Sequence, residues 1–427
     1  MRLIPIVLVF INTWCLPVPL IFGATPIYDL SVGDDINVYN SWDSFFETNT
    51  LSIICVRNLL NTNETHFTKE VLCVEFQNID KERPTRVVHT LGVYEDTHIG
   101  SCWLINRTTG LYSIKVKDGI YRTYVVDFSA DIPKTQEISS SLGSSNTTYF
   151  SATGFGDKHR MTDSRNVVVP YSKGIIYFSN NGFLVIPMEK SMYSDFTCLS
   201  DNRVIFCGKI ADIPRLLLRS LDGITQNLEH ITGYDANFPL PGKVSKLPRL
   251  ADGQRFVMAE TALSFLLFDN TNLYMTNDKG ETWVKRNVFE ELGEAFPAAK
   301  PILGNRKSGP FVTLRTSEAT YRGLITFAAK VDLNKAVKNR NIGKQNKLCQ
   351  KHVYIQEIRT KDETTYFWNF PAMEQDETLC DTSIRHAMYQ LPDKSWIFII
   401  TGFDSNNGDG DYFRVVRSTG ERTSFNK

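Results

Sequence analysis

The chain has 427 residues, 42% of them hydrophobic and 12% aromatic, which is ample for a folded core and excludes a disordered chain. Its 47 basic and 47 acidic side chains cancel to a formal net charge of zero, removing the clustered basic footprint that nucleic acid requires. Once a leader is set aside, the length fits two ordinary domains or one large β-structure.

The first element is that leader. Arg2 precedes an apolar stretch, Leu3 to Phe22, that exits through Gly23 and Ala24, the pattern of a signal peptide over residues 1–23. Asn12, Thr13, Pro17 and Pro19 interrupt what would otherwise be a membrane span of about 20 residues. No later stretch approaches that length, and the polar end Thr423-Ser-Phe-Asn-Lys427 lacks the hydrophobic tail of a lipid-anchor signal. The expectation is an exported, extracellular protein with no membrane span. Three acceptor sequons agree with export, at Asn63, Asn106 and Asn146.

Of eight cysteines, Cys15 leaves with the leader. In an oxidising compartment most of the remainder should pair. Cys198 and Cys207 flank the apolar Val204-Ile-Phe206 and predict a local bridge across two strands, while Cys349 and Cys380 predict a second loop. With Cys55, Cys73 and Cys102 the total is odd, which leaves one thiol single or joined to another chain.

Brief β-branched and aromatic runs follow, such as Asn166–Pro170, Gly174–Phe178, Phe183–Ile186 and Trp396–Ile400. They predict strands buried on both faces and an all-β fold. One short amphipathic helix is predicted over Val288–Phe296, ending before Pro297. Residues 304–351, richer in basic and polar side chains, read as a long insertion. A weak repeat runs through the strands: an apolar run ends in a polar turn at Ser179, Ser220, Thr276 and Ser418, with spacings that fit blades of four short strands.

The sharpest feature is Thr276-Asn-Asp278-Lys-Gly280-Glu-Thr282-Trp283, which matches Ser/Thr-x-Asp-x-Gly-x-Thr-Trp at every defined position. Such an Asp-box is a hairpin turn between the outer two strands of a propeller blade. The aspartate accepts turn amides, the glycine permits a positive φ, the threonine ties the turn and the tryptophan packs between blades. With this motif the chain resembles the sialidase and trans-sialidase superfamily. Ser179-Asn-Asn-Gly182, Ser220-Leu-Asp-Gly223 and Ser418-Thr-Gly420 read as decayed copies. A looser similarity to the trypanosomal trans-sialidase group runs from about Thr162 to Trp283, through Thr162–Pro170 and Ser194–Cys198. The resemblance implies a single six-bladed β-propeller over residues 24–427, with disulfides and with the box in a structural role.

It also implies a site: three arginines clamping a substrate carboxylate, a tyrosine nucleophile activated by glutamate, and an aspartate for acid/base work. This sequence departs from that set. No arginine lies between Arg2 and Arg57. The second arginine falls at Lys209, which keeps charge and loses the planar fork, and none occurs around Asn270. The tyrosine position falls at Arg385, with Tyr389 four residues on, and Leu199-Ser-Asp-Asn-Arg203 lacks the glutamate expected after Cys198. What remains is a residual anion pocket of Lys209, Arg215, Arg219 and Arg385, or plain strand-edge charges.

The seven histidines form no zinc-binding pattern, and Asp404–Asp411 reads as a solvated hairpin loop rather than a calcium loop, so no metal or cofactor is expected. The leading expectation is a secreted non-catalytic propeller that binds an extracellular protein or glycan, as a host-facing factor of a parasite or other microbe. The alternatives are an active exo-sialidase or trans-sialidase, with its clamp supplied by Arg83, Arg86, Arg315 and Arg322, and a sorting or scaffold module.

Overall fold

The computed structural model describes residues 27–32, 36–37, 42–59, 68–95, 98–116, 120–142, 167–171, 174–179, 182–187, 195–198, 203–210, 213–220, 228–235, 256–259, 265–268, 272–276, 284–296, 307–308, 313–315, 319–331, 347–359, 364–370, 375–376, 386–404 and 410–425. The predicted leader, Asn63, Asn146, Cys380 and Arg385 lie outside them.

The protein is all-β, and its strands fill one sheet after another in chain order. After β1 (Tyr28–Ser31), sheet I holds β2 (Ile36–Asn37), β3 (Asp43–Glu47), β4 (Thr50–Leu59), β5 (Thr68–Gln77) and β6 (Thr85–Glu95). Sheet II holds β7 (His98–Asn106), β8 (Thr109–Lys115), β9 (Tyr121–Asp127) and β10 (Lys134–Glu137). Sheet III is β11 (Val167–Tyr171), β12 (Gly174–Ser179) and β13 (Gly182–Pro187). Sheet IV, described by its backbone alone, is β14 (Asp195–Cys198), β15 (Arg203–Ile210), β16 (Ile213–Ser220) and β17 (Leu228–Asp235).

Sheet V is β18 (Phe256–Ala259), β19 (Phe265–Phe268), β20 (Asn272–Thr276) and β21 (Val284–Asn287), followed by α1 (Val288–Ala295). Sheet VI is β22 (Lys307–Ser308), β23 (Thr313–Arg315), β24 (Ala319–Val331), β25 (Lys347–Arg359), β26 (Thr365–Asn369) and β27 (Gln375–Asp376). Sheet VII is β28 (His386–Gln390), β29 (Trp396–Asp404) and β30 (Gly410–Ser418), and β31 (Glu421–Phe425) is the last described strand. The described strands therefore fall into seven sheets, where a six-bladed expectation calls for six.

The first and last described strands are sewn into sheets built by the segment between them. β1 adds to the outer edge of β30, with Tyr28 opposite Arg417 and Ser31 opposite Arg414. β31 turns back to β26, with Glu421 opposite Asn369, and so extends sheet VI.

Alternation along a strand sends neighbouring residues to opposite faces, and here both faces are covered. On one face of sheet I, Ile53, Cys55, Leu72 and Val74 pack against Tyr389, Ile397 and Ile399 of sheet VII. On the other, Ile54, Val56, Val71 and Cys73 pack against Cys102, Leu104 and Tyr112 of sheet II. Sheet II in turn lays Trp103, Ile105 and Leu111 on Val169, Ile176 and Phe178 of sheet III. In the other direction Trp396 and Phe398 of sheet VII meet Tyr321, Trp368 and Phe370 of sheet VI. Tyr354, Ile358 and Phe367 of sheet VI then meet Leu273 of sheet V and Phe289 and Leu292 of α1. Sheets V, VI, VII, I, II and III thus form an unbroken face-to-face run, and β14 and β15 of sheet IV approach β18. Each fully buried aliphatic or aromatic side chain contributes about 1.5–3 kcal/mol, which is why the strands read as continuous apolar runs.

The predicted helix is present as α1. Asn287 caps it, its Oδ1 accepting from the Phe289 and Glu290 amides at 3.1 and 3.3 Å, and Glu290 and Glu291 favour its positive end. The segment 304–351 holds β22, β23, β24 and the start of β25, which join sheet VI, with a thirteen-pair β24–β25 hairpin from Ala319↔Arg359 to Val331↔Lys347.

The disulfide expectations are corrected where they can be seen. Cys55, Cys73 and Cys102 are buried thiols rather than disulfide halves. Cys55 and Cys73 sit on adjacent strands, yet one belongs to the sheet VII interface and the other to the sheet II interface. The predicted Cys198–Cys207 bridge fails on register, since Cys198 lies opposite Val204 and Cys207 opposite Asp195. Three residue rises, about 10 Å, separate them, beyond the roughly 7 Å limit for a disulfide. Cys349 lies on β25 opposite Asp376.

Candidate functional site

Thr276 closes β20, and the segment that follows leads to β21, so the 276–283 motif joins the last two strands of sheet V. Asp278, Gly280, Thr282 and Trp283 lie outside the described residues. The topology reveals what the motif search missed. At the end of the penultimate strand sheets I and II also carry a short polar sequence: Asn78-Ile-Asp80 after β5 and Ser129-Ala-Asp131 after β9 join those at Ser179, Ser220, Thr276 and Ser418 in sheets III, IV, V and VII. Without the glycine and tryptophan these two copies carry no signature, and only strand order aligns them.

The glycines of the repeat have different causes. Gly182 has φ +120°, the region that favours glycine, and open space where a Cβ would stand. Gly420 is needed for packing, since a Cβ there would lie 2.6 Å from Cε1 of Phe370.

The turn after β5 shows what such a corner does. The Lys81 amide donates to the Asn78 carbonyl at 2.9 Å, with Asn78 at φ 56°. The Tyr28 hydroxyl donates to the Ile79 carbonyl at 2.7 Å, and Arg417 Nη1 donates to the Asp80 carbonyl. Arg417 is buried, and its other nitrogens reach Asp393 Oδ2 at 2.6 Å and Ser395 Oγ at 3.1 Å. Burial pushes the Asp393 carboxyl up, but hydrogen bonds from Ser395 and Arg417 and the charge of Arg417 hold it below the usual value.

Other arginines are committed in the same way. Arg107, in the β7–β8 turn, reaches across to Glu75 of sheet I at 3.3 Å. Ser52, Gln77 and His89 also surround Glu75; burial raises its carboxyl, and the hydrogen bonds of Arg107 and Gln77 outweigh that and leave it lowered. Arg286 holds Glu291 through both oxygens, at 2.6 and 2.8 Å, and donates to Thr365 of sheet VI. Arg422 holds Glu357 at 2.6 and 2.9 Å, lies 3.5 Å above the Tyr366 ring and shares that carboxylate with Arg359. Arg57 pairs with Glu70, and Arg414 with Asp29.

The inner strands are tied by polar contacts of adjacent residues. Asp43 Oδ2 accepts the Leu104 amide of sheet II at 2.8 Å, while Ser44 bonds the Tyr389 hydroxyl of sheet VII at 2.8 Å. Tyr389, the alternative for a nucleophile, is thus a buried side chain 3% exposed.

Backbone register places three of the predicted pocket residues. Lys209 lies opposite Pro214 and Arg215 opposite Gly208, near the β15–β16 turn. Arg219, opposite Val204, is four residues further along β16, about 13 Å away. Arg83 is exposed in the β5–β6 turn and Arg86 on the outermost strand of sheet I, while Arg315 and Arg322 are on β23 and β24. Asn106, the last residue of β7, is exposed, and its Oδ1 accepts from the Thr108 amide at 2.8 Å and hydroxyl at 3.3 Å. Among the described residues no three acidic, histidine or cysteine side chains are grouped to hold a metal, and no helix is long and apolar enough to cross a membrane.

No protein-family model matches the chain, and no curated protein matches it in sequence. Among solved structures it is similar to a puromycin-hydrolyzing peptidase of Mycobacterium tuberculosis, with 8% identity and a TM-score of 0.27 over 53% of this chain and 42% of that one. A prolyl endopeptidase shares 7% identity with a TM-score of 0.37, over 86% and 55%. AofleA of Arthrobotrys oligospora shares 9% identity with a TM-score of 0.31, over 93% and 89%. The chain spans about half the length of the two peptidases.

Proposed function

We propose that the chain is an exported, N-glycosylated β-propeller of the sialidase-like kind, with seven blades, that binds an extracellular protein or glycan and performs no glycosidase chemistry. The observation that carries this reading is the employment of its arginines. Arg57, Arg107, Arg286, Arg359, Arg414, Arg417 and Arg422 are each bonded to a carboxylate within or between sheets. A clamp for an acidic sugar requires guanidinium groups whose forks are open to the ligand. Here they serve as struts.

Closure of the ring is supported by β1, which supplies the outer strand of sheet VII, and by the packing of sheet VII on sheet I. A rigid ring presents its connecting loops as a rim, the usual place for recognition. Export is supported by the exposed sequon at Asn106.

The test is expression with its own leader in a secretory host, followed by a fluorogenic sialoside assay and a saturation binding assay on glycosylated and deglycosylated cell surfaces. Secretion with a glycan mass shift, saturable binding and no turnover are expected. Sialoside turnover that disappears in Arg385→Ala would overturn the proposal.

A further inference from the structure

The outermost strand of sheet I carries a pattern that the binding function does not use. β6 pairs with β5 on one side, and no described strand pairs with it on the other. A one-residue bulge interrupts the ladder: Leu72 is opposite Thr90, Val71 is opposite Gly92, and Leu91 is the extra residue, buried in the core. The bulge reverses the alternation, so the exposed residues are Arg86, Val88 and Thr90 before it and Val93 and Glu95 after it.

Their ladder positions are fixed by β5. Val88 is opposite Val74 and Val93 opposite Glu70, each two rungs from Thr90; Arg86 is opposite Phe76 and Glu95 opposite Thr68, each four rungs away. About Thr90 the exposed row is therefore a chemical palindrome whose ends carry opposite charge. Val88 and Val93 are 41% and 54% exposed. The outer strand of sheet II, Lys134-Thr-Gln-Glu137, is exposed throughout and carries no apolar side chain.

We propose that β6 is the seam of a homodimer, in which two copies of this chain pair β6 to β6, antiparallel, about a two-fold axis at Thr90. In that register Val88 faces the partner's Val93, and Arg86 faces the partner's Glu95, each contact occurring twice. An edge strand normally guards itself with charge and bulges. Here the charges repel neither copy, because the two-fold axis sets each against its opposite, and both copies carry the same bulge. Sliding the register by two rungs would set Arg86 against the partner's Val93, so the charges also select the register.

Sedimentation velocity on the secreted glycoprotein tests this. The wild-type chain should sediment as a dimer, and Arg86→Glu and Glu95→Arg, both at exposed positions, should each weaken association by about tenfold or more. Mixing the two variants should restore a one-to-one heterodimer, because each charge then meets its opposite; a misfolded variant would not recover on mixing. A wild-type monomer, a dimer indifferent to either reversal, or variants that stay apart on mixing would each overturn the proposal.

Discussion

The guanidinium of Arg417, on the third strand of sheet VII, donates to the backbone carbonyl of Asp80 in the corner turn of sheet I. The two residues are 337 positions apart in the chain. Their contact, with that of Tyr28 on Ile79, stitches the last-built sheet to the first.

Arg417→Ala should therefore lower stability by about 2–4 kcal/mol, because it leaves the part-buried Asp80 carbonyl, Ser395 and Asp393 without this donor. Asp393 is half-exposed and contributes the smaller part. Tyr28→Phe removes one hydrogen bond and should cost about 1 kcal/mol. Equilibrium unfolding in guanidinium chloride measures both; equal losses would show that the guanidinium is not the strut described.

Gly420→Ala should cost about 1–3 kcal/mol through overpacking against the buried Phe370 ring. Gly182→Ala should cost about 1 kcal/mol through its backbone angle, with no clash. Adding Phe370→Leu should recover much of the first loss and none of the second. A double-mutant cycle on thermal unfolding reads the difference.

Acid should weaken the sheet I–II contact. The folded Glu75 carboxyl is lowered, so its contribution is complete above the ordinary glutamate value of about 4.3 and is lost as pH falls through the lower folded value. Glu75→Gln should flatten the fall of unfolding free energy below about pH 4.3. An unchanged acid limb in the variant would remove Glu75 from the account.

Cys55, Cys73 and Cys102 should resist alkylation in the native protein and react without any reductant once it is unfolded. Burial raises the Cys73 and Cys102 thiols, so thiolate is scarce at neutral pH as well as inaccessible. Peptide-resolved mass spectrometry after labelling decides it; an unfolded chain in which any of the three needs reductant would contradict the structure.

Much of the local structure was legible. Gly174–Phe178, Phe183–Ile186 and Trp396–Ile400 fall within β12, β13 and β29, and Val288–Phe296 contains α1, because apolar runs bounded by turn residues and a capped amphipathic segment are local signals. Within 304–351, basic flanks hide the alternating apolar residues of the Ala319–Val331 strand. The site was less legible: the struts Arg107, Arg414 and Arg422 give no signal of their own in the sequence, because their carboxylate partners Glu75, Asp29 and Glu357 lie on other strands.

By itself the sequence determined the all-β character, the strand-forming runs and the polar corners, since each depends on residues within one or two turns of one another. Only the tertiary structure decided the seven sheets, the pairing of β1 with β30 at the other end of the chain, the return of β31 to β26, and the separation of Cys198 from Cys207. Those facts rest on register and on which face meets which neighbour. A shift of one residue exchanges the two faces of a strand, and no local pattern distinguishes them when both are apolar.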